Sequence, residues 1–190
     1  SLWWQIYFTD PNRTNNPEDL SGSIAERLIQ RIEMADETID IAAFEFNLTP
    51  VAEALVAAAE RGVQIRWVTD DEYGLEADED PDHGQFALLE DAGIALRDDG
   101  RSALMHNKFI IFDSSVVWTG STNLTTNDIF RNNNNVIIIE SPGLATIYQR
   151  EFDEMWDGQF GPRSPSTLEQ QSLTIRRTPV QVLFASEDEV

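Results

Sequence analysis

The chain has 190 residues and a formal charge of −21, from 13 basic and 34 acidic side chains. So small a basic inventory argues against a large nucleic-acid surface, because such surfaces neutralise phosphates with Lys and Arg. The absence of cysteine excludes a disulfide framework, thiol catalysis and thiolate-bound zinc. No apolar run approaches the roughly 20 residues of a membrane-crossing helix, and the length fits one domain with a substantial core.

The first third of the chain predicts strands that alternate with helices. A capping-box pattern at Ser23–Glu26 starts one helix, and Thr49-Pro50 starts the next, which ends at Gly62. A strand-helix-strand order implies parallel pairing with a right-handed crossover. Strands are predicted at residues 3–8, 38–46 and 63–69, and a Pro/Asn-rich loop at residues 9–20.

Residues 70–83 carry eight acidic side chains, but their spacing does not match a calcium-binding loop. We expect a solvated, mobile loop there that lies over the strand ends. The remaining pattern predicts helices at 86–92, 124–128 and 142–156, and strands at 94–96, 109–112, 116–118 and 136–140. Residues 1–157 are therefore expected to form an α/β domain with a mixed central β-sheet and helices on both faces.

The C-terminal part of the chain has a different composition. Residues 158–179 are rich in Pro, Ser and Gln, which is typical of a linker. The apolar pattern around residues 4–10 recurs in residues 180–186, so residues 180–190 are interpreted as the first strand of a truncated second repeat. The alternative is coincidence between two apolar strands.

One stretch carries the chemistry, with the pattern H-x-K-x4-D-x6-G-S-x-N from His106 to Asn123. Apolar residues 109–112 and 116–118 predict a buried hairpin, in which strand alternation would place His106 and Lys108 on the same side. An imidazole and an ammonium buried together call for an anion. Lys108 is also the only lysine of the chain. The alternative is an exposed His and Lys on an edge strand beside a polar turn.

The stretch from His106 to Asn123 resembles the signature of the phospholipase D superfamily. The resemblance implies a phosphodiester transfer through a phosphohistidine, with a second histidine from another copy of the motif as general acid. It also implies that no metal or other cofactor is needed. Since the chain has one copy, we expect the N-terminal half of a two-motif, bacterial-type protein, completed by its second half or by a homodimer mate.

Each polar motif residue receives an expected role. His106 is the nucleophile, or the general acid if the other motif supplies the nucleophile. Lys108, Ser121 and Asn123 are expected to bind the phosphoryl oxygens. Asp113 is expected to fix the hairpin turn by hydrogen bonds to backbone.

Two further residues are candidates for supporting the histidine. Glu45 follows a predicted strand and either approaches the site or is an ordinary surface carboxylate. Many relatives carry a glutamate at or near the position of Asn134, where it orients the histidine. An amide cannot stabilise a charged imidazole as a carboxylate does. Either Glu45 or another acid takes that role, or this half is catalytically weaker.

Three functions fit the sequence. A phosphodiesterase that hydrolyses or transfers a phosphodiester, with phospholipid favoured, suits the acidic charge. A nuclease acting as a homodimer and a non-catalytic domain that binds a phosphate ligand are the alternatives. The tryptophans are either lipid contacts or core residues. The sequence leaves the localisation open, and a trimmed targeting segment would be compatible with an extracytoplasmic protein.

Overall fold

A computed structural model describes residues 2–11, 19–164, 168–185 and 187–188, so most of the loop predicted at 9–20 lies outside the described residues. Its centre is a seven-stranded sheet in the order β1-β7-β6-β5-β2-β3-β4. The strands are β1 Trp4–Phe8, β2 Thr38–Ala43, β3 Gln64–Thr69, β4 Ala95–Asp98, β5 Lys108–Phe112, β6 Val116–Gly120 and β7 Asn135–Glu140.

The sheet is mixed, as predicted. Strands β2, β3 and β4 run parallel, whereas β5, β6, β7 and β1 pair in antiparallel fashion. The connections explain this division, because helices link the parallel strands and a tight turn links β5 to β6. The helices are α1 Ile24–Glu33, α2 Thr49–Glu60, α3 Gln85–Asp91, α4 Thr126–Phe130 and α5 Pro142–Trp156.

Two apolar cores lie on opposite faces of the sheet. One core packs α1, α2 and α3 against residues such as Ile41, Trp67 and Ile110. The other packs α5 against the alternate residues of the same strands, including Ala42, Phe109 and Ile111. The period-two alternation along β2 and β5 therefore feeds both cores. The predicted α/β fold class with helices on both faces is confirmed.

The acidic segment after β3 was predicted as a solvated, mobile loop, but it contains two helical turns. Residues 71–75 form a π-helical turn, and residues 76–79 a 3₁₀ turn. Asp78 accepts hydrogen bonds from the backbone amides of Gly84, Phe86 and Ala87, so it caps the start of α3. Part of the negative charge thus satisfies backbone donors inside the fold.

The segment predicted as an irregular linker contains a β-hairpin. Strand β8, Ser172–Ile175, pairs with β9, Thr178–Gln181, in a separate two-stranded sheet. Ile175 and Val182 are buried in the core that contains α5, so apolar burial outweighs the Pro/Ser-rich composition. The linker interpretation, made for residues 158–179, is corrected where the hairpin falls within it, at residues 172–179. The repeat assigned to residues 180–190 stays a prediction.

Among the described residues, every helix is too short or too polar to cross a lipid bilayer.

Candidate active site

His106 and Lys108 converge on one aromatic ring. Strand β5 begins at Lys108, so His106 lies just before the strand rather than within it, and its side chain is exposed. The His106 ring meets the Phe44 ring edge-on, with 4.8 Å between centroids. Lys108 Nζ lies 5.3 Å from the centroid of the same ring. The two motif side chains therefore approach the same ring, but the predicted burial of the imidazole is wrong, because His106 lies before the strand and is exposed.

Backbone hydrogen bonds hold the segment that carries His106. The buried carboxylate of Asp70 accepts a hydrogen bond from the Met105 backbone amide at 2.9 Å and another from the Tyr73 amide at 2.9 Å. Lys108 Nζ donates to the His106 carbonyl at 3.0 Å. The backbone is thus anchored on both sides of the imidazole. Because Asp70 is remote in sequence, the motif alone did not reveal it.

The surroundings of the site lower the pKa of both motif side chains, so the neutral imidazole is favoured and the ammonium group loses its proton more easily than usual. Partial desolvation lowers the pKa of His106, the positive charge of Lys108 lowers it further, and Asp128 and Asp70 oppose that change. Burial lowers the pKa of Lys108 to about 8, against the opposing charges of Asp128 and Glu45. A neutral imidazole has the lone pair that a nucleophile needs.

Glu45 lies within the electrostatic reach of the motif. Burial raises its pKa, Asp128 raises it further, and the charges of Lys108 and His83 oppose the increase. Of the two interpretations of Glu45, the structure favours the one that brings it near the site. Among the described residues, the Glu45 carboxylate forms no hydrogen bond with the His106 imidazole.

The Gly-Ser-Thr-Asn segment closes the site at the end of β6. A Cβ at Gly120 would lie 2.9 Å from the Val136 Cα, so only glycine allows β6 and β7 to approach so closely. Asn123 Oδ1 is buried and has no hydrogen-bond partner among the described residues. A buried amide group without a partner is costly unless a ligand satisfies it. This oxygen can only accept a hydrogen bond, whereas binding a phosphoryl oxygen needs the Nδ2 donors, so the predicted role of Asn123 stays a prediction.

Ser121 and Asn134 belong to a hydrogen-bond network that the sequence did not reveal. Ser121 Oγ donates to Asn134 Oδ1 at 2.8 Å, and Asn134 Nδ2 donates to Asp128 Oδ1 at 2.9 Å. Asn132 Nδ2 donates to the same carboxylate oxygen at 2.7 Å. Asp128, in α4, was missed because it is six residues from Asn134 in a run of polar residues without a distinctive spacing.

Asp113 binds backbone, but the predicted partner was wrong. Its carboxylate accepts hydrogen bonds from the amides of Glu37 at 2.7 Å, Thr38 at 3.0 Å and Asp36 at 3.2 Å. These residues lead into β2, which pairs with β5. Asp113 therefore ties the β5–β6 turn to the start of β2, because three free amides there need an acceptor.

A cavity of about 380 Å³ opens beside the motif. His106 and Lys108 contribute polar groups to its wall, and Leu183 and Phe184 after β9 contribute apolar ones. The space can take the organic part of a phosphodiester while the phosphate lies at the motif.

Two groups of carboxylates lie close enough together to share a cation. They are Asp70, Asp71 and Asp99, and Glu151, Glu154 and Glu187. Neither group contains a motif residue. In the first, Asp99 already pairs with Arg101 at 2.7 Å. The prediction that the chemistry needs no metal stays a prediction.

Comparison with known proteins adds independent information. Residues 28–156 match a family model described as "Cardiolipin synthase, PLD-like domain". The chain is 32% identical over 142 residues to the mitochondrial cardiolipin hydrolase of Xenopus tropicalis, covering 75% of this chain and 65% of that protein. It is 35% identical over 140 residues to the human mitochondrial cardiolipin hydrolase, covering 74% of this chain and 53% of that protein. The chain thus spans between about half and two thirds of the length of these curated relatives.

A solved structure agrees with this assignment. The fold is similar to that of Nuc from Salmonella typhimurium, described as a phospholipase D family member, with a TM-score of 0.67 and 26% identity. The similarity covers 82% of this chain and 94% of that chain. The family model includes the motif from His106 to Asn123 and extends over most of the sheet. The chain therefore belongs to the phospholipase D-like domain family.

Proposed function

We propose that the protein is a phosphodiesterase of the phospholipase D type that cleaves a phospholipid, with cardiolipin as the favoured substrate. The observation that carries the proposal is the convergence of His106 and Lys108 on Phe44. The names of the curated relatives support the choice of cardiolipin. The charge of −21 argues against a broad nucleic-acid-binding surface, whereas the choice of an anionic lipid rests on the names of the relatives.

In the first step, the lone pair of a neutral His106 imidazole attacks phosphorus and forms an N–P bond. The bond from phosphorus to the leaving alcohol breaks, and the alcohol oxygen takes a proton from a second histidine. The ammonium group of Lys108 and the amide of Asn123 stabilise charge on the phosphoryl oxygens. In the second step, water attacks phosphorus, the N–P bond breaks, and the proton lost by the water returns to the second histidine.

The second histidine has to come from another copy of the motif. The other histidine of the chain, His83, lies outside the H-x-K pattern. Two arrangements supply the second motif: a homodimer, or a further part of the same protein. The coverage of Nuc supports the homodimer, because 94% of that phospholipase D family chain corresponds to one domain of this kind.

The test is turnover of cardiolipin vesicles by this chain in excess chelator, with single-stranded DNA as the competing substrate at the same salt concentration. Two variants accompany it: His106→Asn, and His83→Asn as a matched control. The proposal predicts lipid turnover that chelator does not remove, that His106→Asn abolishes, and that His83→Asn retains. Cleavage of DNA alone would indicate the nuclease.

Turnover should be followed together with the mass of the protein in solution. An active dimer would support pairing between two copies of this chain. An inactive monomer that gains activity when a longer form of the protein is used would support a second motif in the same polypeptide. Binding of lipid phosphate without turnover in either form would indicate the non-catalytic alternative.

A further inference from the structure

The carboxylate of Asp128 is buried close to the motif and is bound by amides. Asp128 is 9% exposed. Its Oδ1 accepts from Asn132 Nδ2 at 2.7 Å and from Asn134 Nδ2 at 2.9 Å. Among the residues that the structure describes, no basic group forms a salt bridge with it. A buried charge that lacks an adjacent partner is costly, so it has to be balanced by cations at longer range.

The two basic side chains of the motif lie within electrostatic reach of this carboxylate. Asp128 acts electrostatically on both His106 and Lys108, and in each case it favours the protonated form. The other charges that face His106 are Lys108 and Asp70, and Glu45 also faces Lys108. Asp128 is the one acid common to both motif side chains in these sets.

The network also gives Asp128 a mechanical link to the phosphate-binding segment. With its Nδ2 held by Asp128, the side chain of Asn134 directs its Oδ1 at Ser121 Oγ, 2.8 Å away. The Asn135 backbone amide donates to Ser121 Oγ at 3.2 Å. The Ser121 hydroxyl therefore donates to Asn134 and accepts from Asn135. Asn134 Nδ2 also donates to the Asp128 backbone carbonyl at 3.2 Å, so the carboxylate and this carbonyl together orient the Asn134 side chain.

We propose that Asp128 is a positioning residue of the phosphoryl site, which orients Ser121 through Asn134 and supplies the buried negative charge that balances His106 and Lys108. The effect on catalysis rests on the proposed function. The effects on the orientation of Ser121 and on the charge near His106 do not depend on that function. The Asn134 amide links Asp128 to Ser121 but is itself uncharged. The negative charge of the network therefore lies on Asp128, which forms no hydrogen bond of its own with Ser121 among the described residues.

The first test needs no turnover, so its result is independent of whether the proposed function holds. The chain has two histidines, and their ring protons can be followed by NMR during a pH titration, with His83→Asn as the assignment control. Asp128→Asn keeps the shape and an acceptor for Asn134 but removes the charge. We expect the measured pKa of His106 to fall, because a negative charge that favours the imidazolium has been removed.

The matched control is Asp91→Asn, which removes one exposed negative charge from α3. This control should leave the pKa of His106 unchanged. A pKa of His106 that is the same in Asp128→Asn as in the unmodified chain would overturn the electrostatic part of the proposal. An equal fall in both variants would overturn it too, because the effect would then come from net charge.

The second test separates charge from positioning. Asp128→Ala removes the carboxylate acceptor and leaves Asn134 Nδ2 only the weaker backbone carbonyl at 3.2 Å, so we expect kcat to fall about 10- to 100-fold below that of Asp128→Asn, through a looser orientation of Ser121. The exchange variant, Asp128→Asn with Asn134→Asp, restores a carboxylate to the network and should recover the pKa of His106. Equal kcat values in Asp128→Ala and Asp128→Asn would overturn the positioning role. Failure of the exchange variant to recover the pKa would overturn the charge role.

Discussion

The side-chain ammonium group of Lys108 donates a hydrogen bond to the backbone carbonyl of His106, with 3.0 Å between Nζ and the carbonyl oxygen. The ammonium group of the motif is therefore held against the backbone that carries His106 before any substrate binds. Such preorganisation lowers the reorganisation that accompanies the chemical step.

The charge of Lys108 should set the alkaline limit of activity. Burial lowers the pKa of Lys108 to about 8. A lysine is charged below its pKa and neutral above it, so kcat/KM should fall as the pH rises through about 8. Lys108→Arg keeps its charge throughout this range. We expect the arginine variant to be slower but to lack the alkaline fall, and a fall at the same pH in both proteins would assign it to another group.

Phe44 should be needed for turnover although it carries no reactive group. Its ring contacts both the His106 ring and Lys108 Nζ, so a smaller side chain would loosen both. Phe44→Leu should lower kcat about 10- to 100-fold with a small change in the melting temperature.

The matched control for Phe44 is Phe112→Leu, at the opposite end of β5, where the ring is fully buried in the core. This variant should lose about 1 kcal/mol or more of stability while kcat is retained. If Phe112→Leu lowers kcat as strongly as Phe44→Leu does, the effect is one of general packing.

Asp113 should matter for stability. Its carboxylate accepts from three backbone amides of residues 36–38, and Asp113→Ala would leave them without that acceptor. We expect a loss of about 1–3 kcal/mol in the free energy of unfolding, measured by urea denaturation. Asp113→Asn retains a side-chain oxygen and should lose less. A larger loss for Asn than for Ala would contradict this account.

The sequence predicted the sheet, the helices and the motif because each depends on local patterns. Alternation along β2 and β5 and the capping residue Ser23 are local signals, and the structure follows them. The C-terminal hairpin was missed because its strands are short and polar, and their burial depends on contacts with a distant helix. Tertiary packing here overrides composition.

The supporting residues of the site were predicted less well, for a related reason. Asp70 and Phe44 reach the motif from strands or turns that are remote in sequence, and each has an ordinary structural interpretation. Asp128 is followed in the sequence by several asparagines, and only the fold shows that Asn132 and Asn134 are the ones that donate to it. A pattern of residue types indicates the reacting groups, whereas the groups that orient them depend on the fold.

The central claim is that His106 becomes covalently attached to phosphorus. The most direct measurement is rapid acid-free quenching of the protein with cardiolipin vesicles in excess chelator, followed by mass spectrometry of the peptide that contains His106. The account predicts a phosphatidyl adduct, joined to His106 through an N–P bond, that appears within one turnover, decays as product forms, and is missing from His106→Asn but present in His83→Asn. Steady turnover without any adduct on His106 would contradict it.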